Sequence, residues 1–210
     1  MKTALKEKLP PEKKKALLKV LTYEKVHGKP IYYRDYKKVL EGELPPEGVM
    51  GSSGLQAYLI SLIVGYLLSV LDRDRFVVLT NEVGFKLTRG SWRNLDIAIF
   101  EKEQVEPYVV QDKLIPVPPI VVIEIDTKAD LSRYGSFEEY MYEKTNDLLE
   151  AGVSKVIWYV SKVKKVLVAE RGKDWITKDW DAEVDVLEGI KLSLERLLKD
   201  EGIEIRGGRE

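Results

Sequence analysis

The sequence predicts an α/β domain of the α+β-like kind, with a mixed central β-sheet flanked by α-helices. Three observations carry this. Strand-like and helix-like segments alternate along most of the chain, the pattern of a layered domain. IVVIEI (residues 120–125) is apolar apart from one glutamate, as expected of a strand buried on both faces. FEEYMYEKTNDLLEAG (137–152) has apolar residues at helical spacing and a glycine placed to stop it. At 210 residues, with 44% hydrophobic and 33% charged side chains, the chain can bury a substantial core in one domain.

Pro10–Pro11 followed by EKKKALLKVLTYEKV predicts a helix, because proline is tolerated in a first turn and Leu17, Leu18, Leu21 and Val26 approximate a stripe. Its lysines form a solvated face; a polyanion-binding arm is the less favoured reading. Gly28–Pro30 breaks this helix, so residues 1–28 read as a basic N-terminal helical extension and residues 29–210 as a single domain. Tyr33–Glu41 is a short second helix, and EGELPPEGVMGSSG a turn-rich connector.

Leu55–Leu71 is a 17-residue apolar helix at the lower limit for a membrane span. Gln56, Ser61 and Ser69 interrupt it, so a buried core helix is expected rather than a span. Then come FVVLT (76–80), GFKL (84–87), a TRGSW turn and LDIAIF (95–100), all strand-like. A polar stretch runs to Pro119. After the 137–152 helix, KVIWYV and KVLVAE form a hairpin around Ser161–Lys165. DVLEGIKLSLERLLKDEG supplies a strand edge, a turn and a last helix.

Composition excludes several chemistries. Cysteine is absent, which removes disulfides, thiol catalysis and thiolate metal sites. His27 is the one histidine, so histidine-cluster metal sites are excluded. GSSG (51–54) lacks the lysine and spacing of a phosphate-cradling loop, and no G-x-S-x-G elbow exists. The N-terminus is basic but has no long apolar run, so a secretory signal is not expected and a cytoplasmic protein is. A net charge of −1 confines any polyanion site to a local patch.

What remains is a set of carboxylates and lysines. Glu124 and Asp126 alternate onto one face of their strand, and Asp96 opens LDIAIF. If the two strands are neighbours, the three carboxylates converge at one sheet edge as hard oxygen ligands for Mg²⁺ or Mn²⁺. On the following helix Tyr140, Lys144 and Leu148 are four apart, with Phe137 and Met141 on the same side. Lys144 therefore stands in the packing stripe and needs a partner, which Glu124 or Asp126 can provide. A buried structural Glu124–Lys144 ion pair is the competing reading. Asp96 as a turn acceptor, Gln56 as a satisfier of backbone groups, Lys128 as a solvated lysine and His27 at a helix end are the plain alternatives for the other residues.

GELPP, a Gly/Ser connector with an apolar helix, NEVGFKLTRGSWRNLDIAIF, PPIVVIEIDTKAD and YEKTNDLLEAGVSKVIWYV occur in that order. Together, from about Tyr33 to the C-terminus, they resemble the Uma-two family of the restriction-endonuclease-like superfamily, with its PD…(D/E)xK pattern. The resemblance implies a restriction-endonuclease-like fold and a metal-dependent nuclease ancestry. Asp96 matches the motif aspartate, with Leu95 in place of the usual proline, and Glu124 matches the (D/E) position. The superfamily's lysine falls at Asp126; in the Uma-two family a lysine from the next helix, in a K-x(7)-G-V context, takes its place, and Lys144 with Gly152 and Val153 fits. Thr127 stands where that family tends to have serine, and Asp130 matches a frequent aspartate.

What the resemblance implies is Mg²⁺ or Mn²⁺ held by Asp96, Glu124 and Asp126, with the Ile125 carbonyl. Lys144 is the catalytic lysine, DNA is the substrate, and a homodimer is in keeping with small nucleases of this class; Asp126, Gln56 and Lys128 are candidate accessory residues by position, outside the resemblance. A catalytically silent nuclease-fold protein acting as a binding or assembly module is the alternative, favoured by near-neutral charge and by Asp126 standing where the lysine belongs.

Overall fold

A computed structural model describes residues 9–205; the first eight residues of the basic start lie outside them. Helix α1 (Pro11–Val20) is followed by strands β1 (Thr22–Val26) and β2 (Lys29–Tyr32), then short helices α2 (Tyr36–Leu40) and α3 (Glu47–Met50) and the long helix α4 (Gly54–Val70). Strands β3 (Phe76–Thr88) and β4 (Ser91–Glu101), helix α5 (Lys102–Val109) and strand β5 (Val121–Ile125) come next. Helix α6 (Phe137–Glu150), strands β6 (Lys155–Val160), β7 (Lys165–Glu170), β8 (Ile176–Asp179), β9 (Val184–Leu187) and β10 (Ile190–Leu192), and helix α7 (Leu194–Asp200) complete the described residues.

Eight strands form one mixed sheet in the order β2-β1-β4-β5-β6-β7-β8, with β3 on the remaining edge of β4. Pairing is antiparallel except between β5 and β6, which α6 connects as a crossover. β9 and β10 make a separate two-stranded ribbon.

Alternation along the central strands sorts the core into two layers. Ile97, Ile99, Ile123, Ile125 and Ile157 pack with Leu59, Ile63 and Leu67 of α4. Ala98, Phe100, Val122, Val156 and Trp158 pack with Tyr140, Met141 and Leu148 of α6. Ser136 caps α6 by accepting from the Glu139 amide at 3.2 Å, and Glu139 reaches back to the Gly135 N–H at 2.6 Å. At its other end Val153 N bonds Leu148 O and Gly152 N bonds Leu149 O, a Schellman stop that needs the positive φ (113°) of Gly152.

Several expectations change. The N-terminal helix ends at Val20, and Thr22–Val26 is a strand of the sheet rather than its continuation. This segment is rich in aromatic and β-branched residues, and its Tyr23, Glu24 and Val26 are buried, whereas α1 buries nothing. His27 and Gly28, both at positive φ, turn β1 into β2, so His27 sits on a hairpin and not at a helix end. FVVLT and GFKL are one strand, β3, carried through a bulge. The polar stretch before Pro119 contains α5, and β8 carried no readable pattern. Helix α4 buries only one face, leaving Tyr58, Leu68 and Val70 partly exposed. Among the described residues no helix is long and apolar enough to cross a membrane.

Candidate active site at the fork of the sheet

Strand β4 has two edges, and β3 pairs along the whole of one. On the other, β5 pairs with residues 97–99 and β1 pairs at Trp92, so the edge forks between them. Asp96 stands in that fork. Extending the Ile97–Ile123 register by one residue sets Asp96 opposite Glu124. Leu95 belongs to the α6-side core and Ile97 to the α4-side core, while Ala98 returns to the α6 side, so the in–out alternation slips at Asp96. Across the β3–β4 pair, the slip is met by a bulge at Asn81 and Glu82, both at positive φ (74° and 57°).

Asp96 is 3% exposed; its Oδ2 accepts from the Ile125 N–H at 2.8 Å and from Gln56 Nε2 at 3.3 Å. Gln56, in the first turn of α4, also donates from Nε2 to the Ile125 carbonyl at 2.8 Å. Glu124 is 1% exposed and its Oε2 lies 2.9 Å from Lys144 Nζ. Its Oε1 is buried without a hydrogen-bond partner. Lys144 reaches in from α6 and also meets Glu24 Oε1 at 3.1 Å and the Asn94 carbonyl at 2.6 Å. Glu24 in turn accepts from Arg93 at 2.8 Å, the Tyr140 hydroxyl at 3.1 Å and the Asn94 N–H at 3.1 Å. Arg93 continues outward to Glu143 at 2.9 Å and Asp147 at 2.5 Å.

Every charged side chain that is buried among the described residues belongs to this cluster: Glu24, Asp96 and Glu124 against Arg93 and Lys144. Fully ionised, it holds three negative charges and two positive. Burial pushes the Glu124 carboxyl up to about 8, against the pull of Lys144 and with a further push from Asp96. Burial also raises the Asp96 carboxyl, opposed by Lys144, the Ile125 N–H and Gln56. Burial works against the charge of Lys144, but Glu124 and Glu24 hold it well above the usual lysine range. Glu24 goes the other way: burial raises it, while Lys144 and Arg93 together bring it below the usual carboxylate range.

Asp96, Glu124, Lys144 and Gln56 are thus brought together; Asp126 is not. Strand β5 ends at Ile125, and Asp126 adopts a left-handed φ of 53°, so the two-residue alternation expected to aim it beside Glu124 stops one position short. Its carboxylate instead accepts from the Ser161 N–H at 2.9 Å and the Ser161 hydroxyl at 2.6 Å. The three-carboxylate convergence of Asp96, Glu124 and Asp126 does not form. Lys128 is not a solvated loop lysine: it is mostly buried and pairs with Glu82 of the bulge, which also accepts from the Tyr33 hydroxyl at 2.7 Å.

Three residues of the site escaped sequence reading: Glu24, Arg93 and Glu82. With TYEKV read as a strand, Glu24 and Arg93 would have stood out as charges inside paired strands. The Asn81–Glu82 pair between FVVLT and GFKL is the kind of interruption a bulge produces.

The donors suit a hard divalent cation. Glu124 Oε1 has no partner, Asp96 Oδ1 has only Gln56 at 3.5 Å, and the cluster, once fully ionised, carries an excess negative charge. A second acidic group, Glu143 and Asp147 with exposed His27, is geometrically close enough for a metal, but Arg93 already bonds both carboxylates.

A cleft of about 840 Å³ opens beyond the end of β5. Gln56, Asp126, Lys128, Ser53, Ser161 and Phe137 line it, and Gln56 is the side chain it shares with the buried carboxylates. Its charges balance: Arg34, Lys128 and Lys162 against Asp35, Asp126 and Glu138. A cleft of about 610 Å³ beside α7 holds none of the expected residues.

No family model and no curated protein matches the chain. Among solved structures, the crystal structure of a candidate nuclease belonging to DUF820 from Anabaena variabilis ATCC 29413 superposes with a TM-score of 0.59 at 18% identity. The match covers 84% of this chain and 89% of that one. At that identity the likeness speaks for the architecture alone: the chain has a nuclease-like fold, a mixed, mostly antiparallel central sheet flanked by helices.

Proposed function

We propose that the protein is a metal-dependent phosphodiesterase of the PD-(D/E)XK kind, in the Uma-two family, acting on DNA. The observation that carries the reading is Glu124 Oε1, buried without a partner beside Asp96. Evolved interiors rarely leave a carboxylate oxygen unsatisfied, and such an atom calls for a missing partner.

Asp96, Glu124 and the Ile125 carbonyl are the residues that would hold Mg²⁺ or Mn²⁺. Such an ion, when bound, lowers the pKa of a coordinated water and offsets charge on a phosphate oxygen. Lys144 aims Glu124 by gripping its Oε2 and favours its ionised form. Ile125 N–H and Gln56 fix the Asp96 carboxylate. Arg34 presents a cation to a phosphate entering the cleft, beside the Lys128–Glu82 pair.

The test is a calorimetric Mn²⁺ titration of wild type and Asp96→Ala, together with Mn²⁺-dependent cleavage of single-stranded, duplex and branched DNA. Binding lost in Asp96→Ala and cleavage lost in Glu124→Gln are expected. Absence of Mn²⁺ binding by wild type at millimolar concentration would overturn the metal-dependent activity. Binding without cleavage of any of the three DNAs would favour a catalytically silent module. That second reading draws on Lys144, fully buried and held by three acceptors, and on the balanced charge of the cleft.

A further inference from the structure

We infer that Gln56 sits in the cation's seat: its carboxamide is a built-in competitor that a divalent cation displaces on binding. This rests on the metal reading of Asp96 and Glu124. The Nε2 group of Gln56 lies 2.8 Å from the Ile125 carbonyl oxygen, 3.3 Å from Asp96 Oδ2 and 3.5 Å from Asp96 Oδ1. Those oxygens belong to the groups assigned to the cation. An amide NH₂ carries partial positive charge and two hydrogens, and satisfies oxygens of this kind as a weak substitute for a metal. Its two hydrogens go to Asp96 and Ile125, and Glu124 Oε1 is left without a partner.

The side chain also has somewhere else to go. Ser53 is the N-cap of α4, and its hydroxyl accepts from the Gln56 N–H at 3.2 Å. Ser53-x-x-Gln56 has the spacing of a capping box, in which the glutamine side chain reaches back to the N–H of the cap residue. Here it leaves that position and turns 4%-exposed into the sheet fork. Rotation about its own side-chain bonds returns it to the helix end at the rim of the cleft, with no movement of α4. Gln56 thus stabilises the metal-free site, and metal affinity is lower than the oxygen set alone would give.

Mn²⁺ titration calorimetry on wild type, Gln56→Ala and Gln56→Asn tests this, with circular dichroism to check folding. Asparagine keeps the polar group at the helix start but is one methylene too short for the seat. Both variants are expected to bind Mn²⁺ about 10-fold tighter than wild type, the effect of removing one charge-assisted hydrogen bond from the metal-free state. If either folded variant binds as wild type does, or more weakly, Gln56 is a bystander or a ligand and the inference falls. If no protein, variants included, binds Mn²⁺, the metal reading itself falls. Binding by the variants but not by wild type would uphold the competitor and overturn the activity proposed for the native chain.

Discussion

Replacing Lys144 by methionine removes the cation at the centre of the buried cluster while keeping its length and apolar stem. The ammonium serves Glu124 Oε2 at 2.9 Å, Glu24 Oε1 at 3.1 Å and the Asn94 carbonyl at 2.6 Å. Glu24 keeps Arg93, the Tyr140 hydroxyl and the Asn94 N–H, so its loss is the smallest. Glu124 loses the one partner it has. Breaking a buried pair by removing one member costs about 3–5 kcal/mol, and the abandoned Asn94 carbonyl adds about 1 kcal/mol or more. Above about pH 8, where Glu124 is ionised in wild type, Lys144→Met is therefore expected to lose about 4–6 kcal/mol, close to the whole stability of a marginal domain. Urea unfolding measures this, read with the Lys144→Met/Glu124→Gln double variant. Neutralising Glu124 removes the stranded charge, so the double variant should recover about half the loss or more. A Lys144→Met loss under about 1 kcal/mol, or a double variant no more stable than the single, would refute a charged, load-sharing Lys144.

Three more outcomes follow. Glu124 titrates near 8 when folded and near 4.5 when unfolded, so its contribution is fully present below about 4.5 and is lost as pH rises through 8. In metal-free buffer wild type should lose stability relative to Glu124→Gln as pH rises across that interval, by about 5 kcal/mol at most, and urea unfolding that shows the opposite slope contradicts the assignment. Asp126→Ala removes both Ser161 contacts and should cost about 1–2 kcal/mol by thermal melting, yet leave Mn²⁺ affinity within about 2-fold of wild type; a larger drop in affinity would make it a ligand. Gly152→Ala puts a Cβ 2.9 Å from Pro118 Cγ at a φ of 113°, and should lower stability by about 1–3 kcal/mol; an unchanged melting temperature would deny the Schellman stop its role.

Periodicity made the centre of this fold legible. IVVIEI could only be a doubly buried strand, and Lys144 in the Tyr140–Leu148 stripe could only be an inward lysine, because both break a pattern that burial enforces. The local backbone was less legible. Nothing in the pattern of IDTKAD announces that Asp126 takes a left-handed φ, and aspartate tolerates that region well enough to conceal it. TYEKV was masked by the lysine- and leucine-rich helix before it, whose stripe runs on to Leu21. Once TYEKV is taken for helix, Glu24 can no longer be seen facing Arg93, since that contact spans 69 residues and depends on the strand pairing. The role of Gln56 is likewise a long-range fact, since its partners lie 40 and 69 residues away.

The five buried charges do not share one explanation. Both oxygens of Glu24 are fully used: Oε1 by Lys144 and the Asn94 N–H, Oε2 by Arg93 and the Tyr140 hydroxyl. That half joins β1, β4 and α6, and each of its polar atoms has its partner, as a structural network should. The other half departs from that standard: Glu124 Oε1 has no partner, and Asp96 is held partly by an amide at 3.3 Å. A purely structural origin would have favoured closing these gaps, or replacing the pair by apolar residues, since a buried ion pair is seldom better than good packing. The incomplete half is also the half that adjoins the cleft, through Gln56. Satisfaction on the helix side and deficiency on the cleft side together separate a scaffold, Glu24–Arg93–Lys144, from the site it holds in place, Asp96–Glu124.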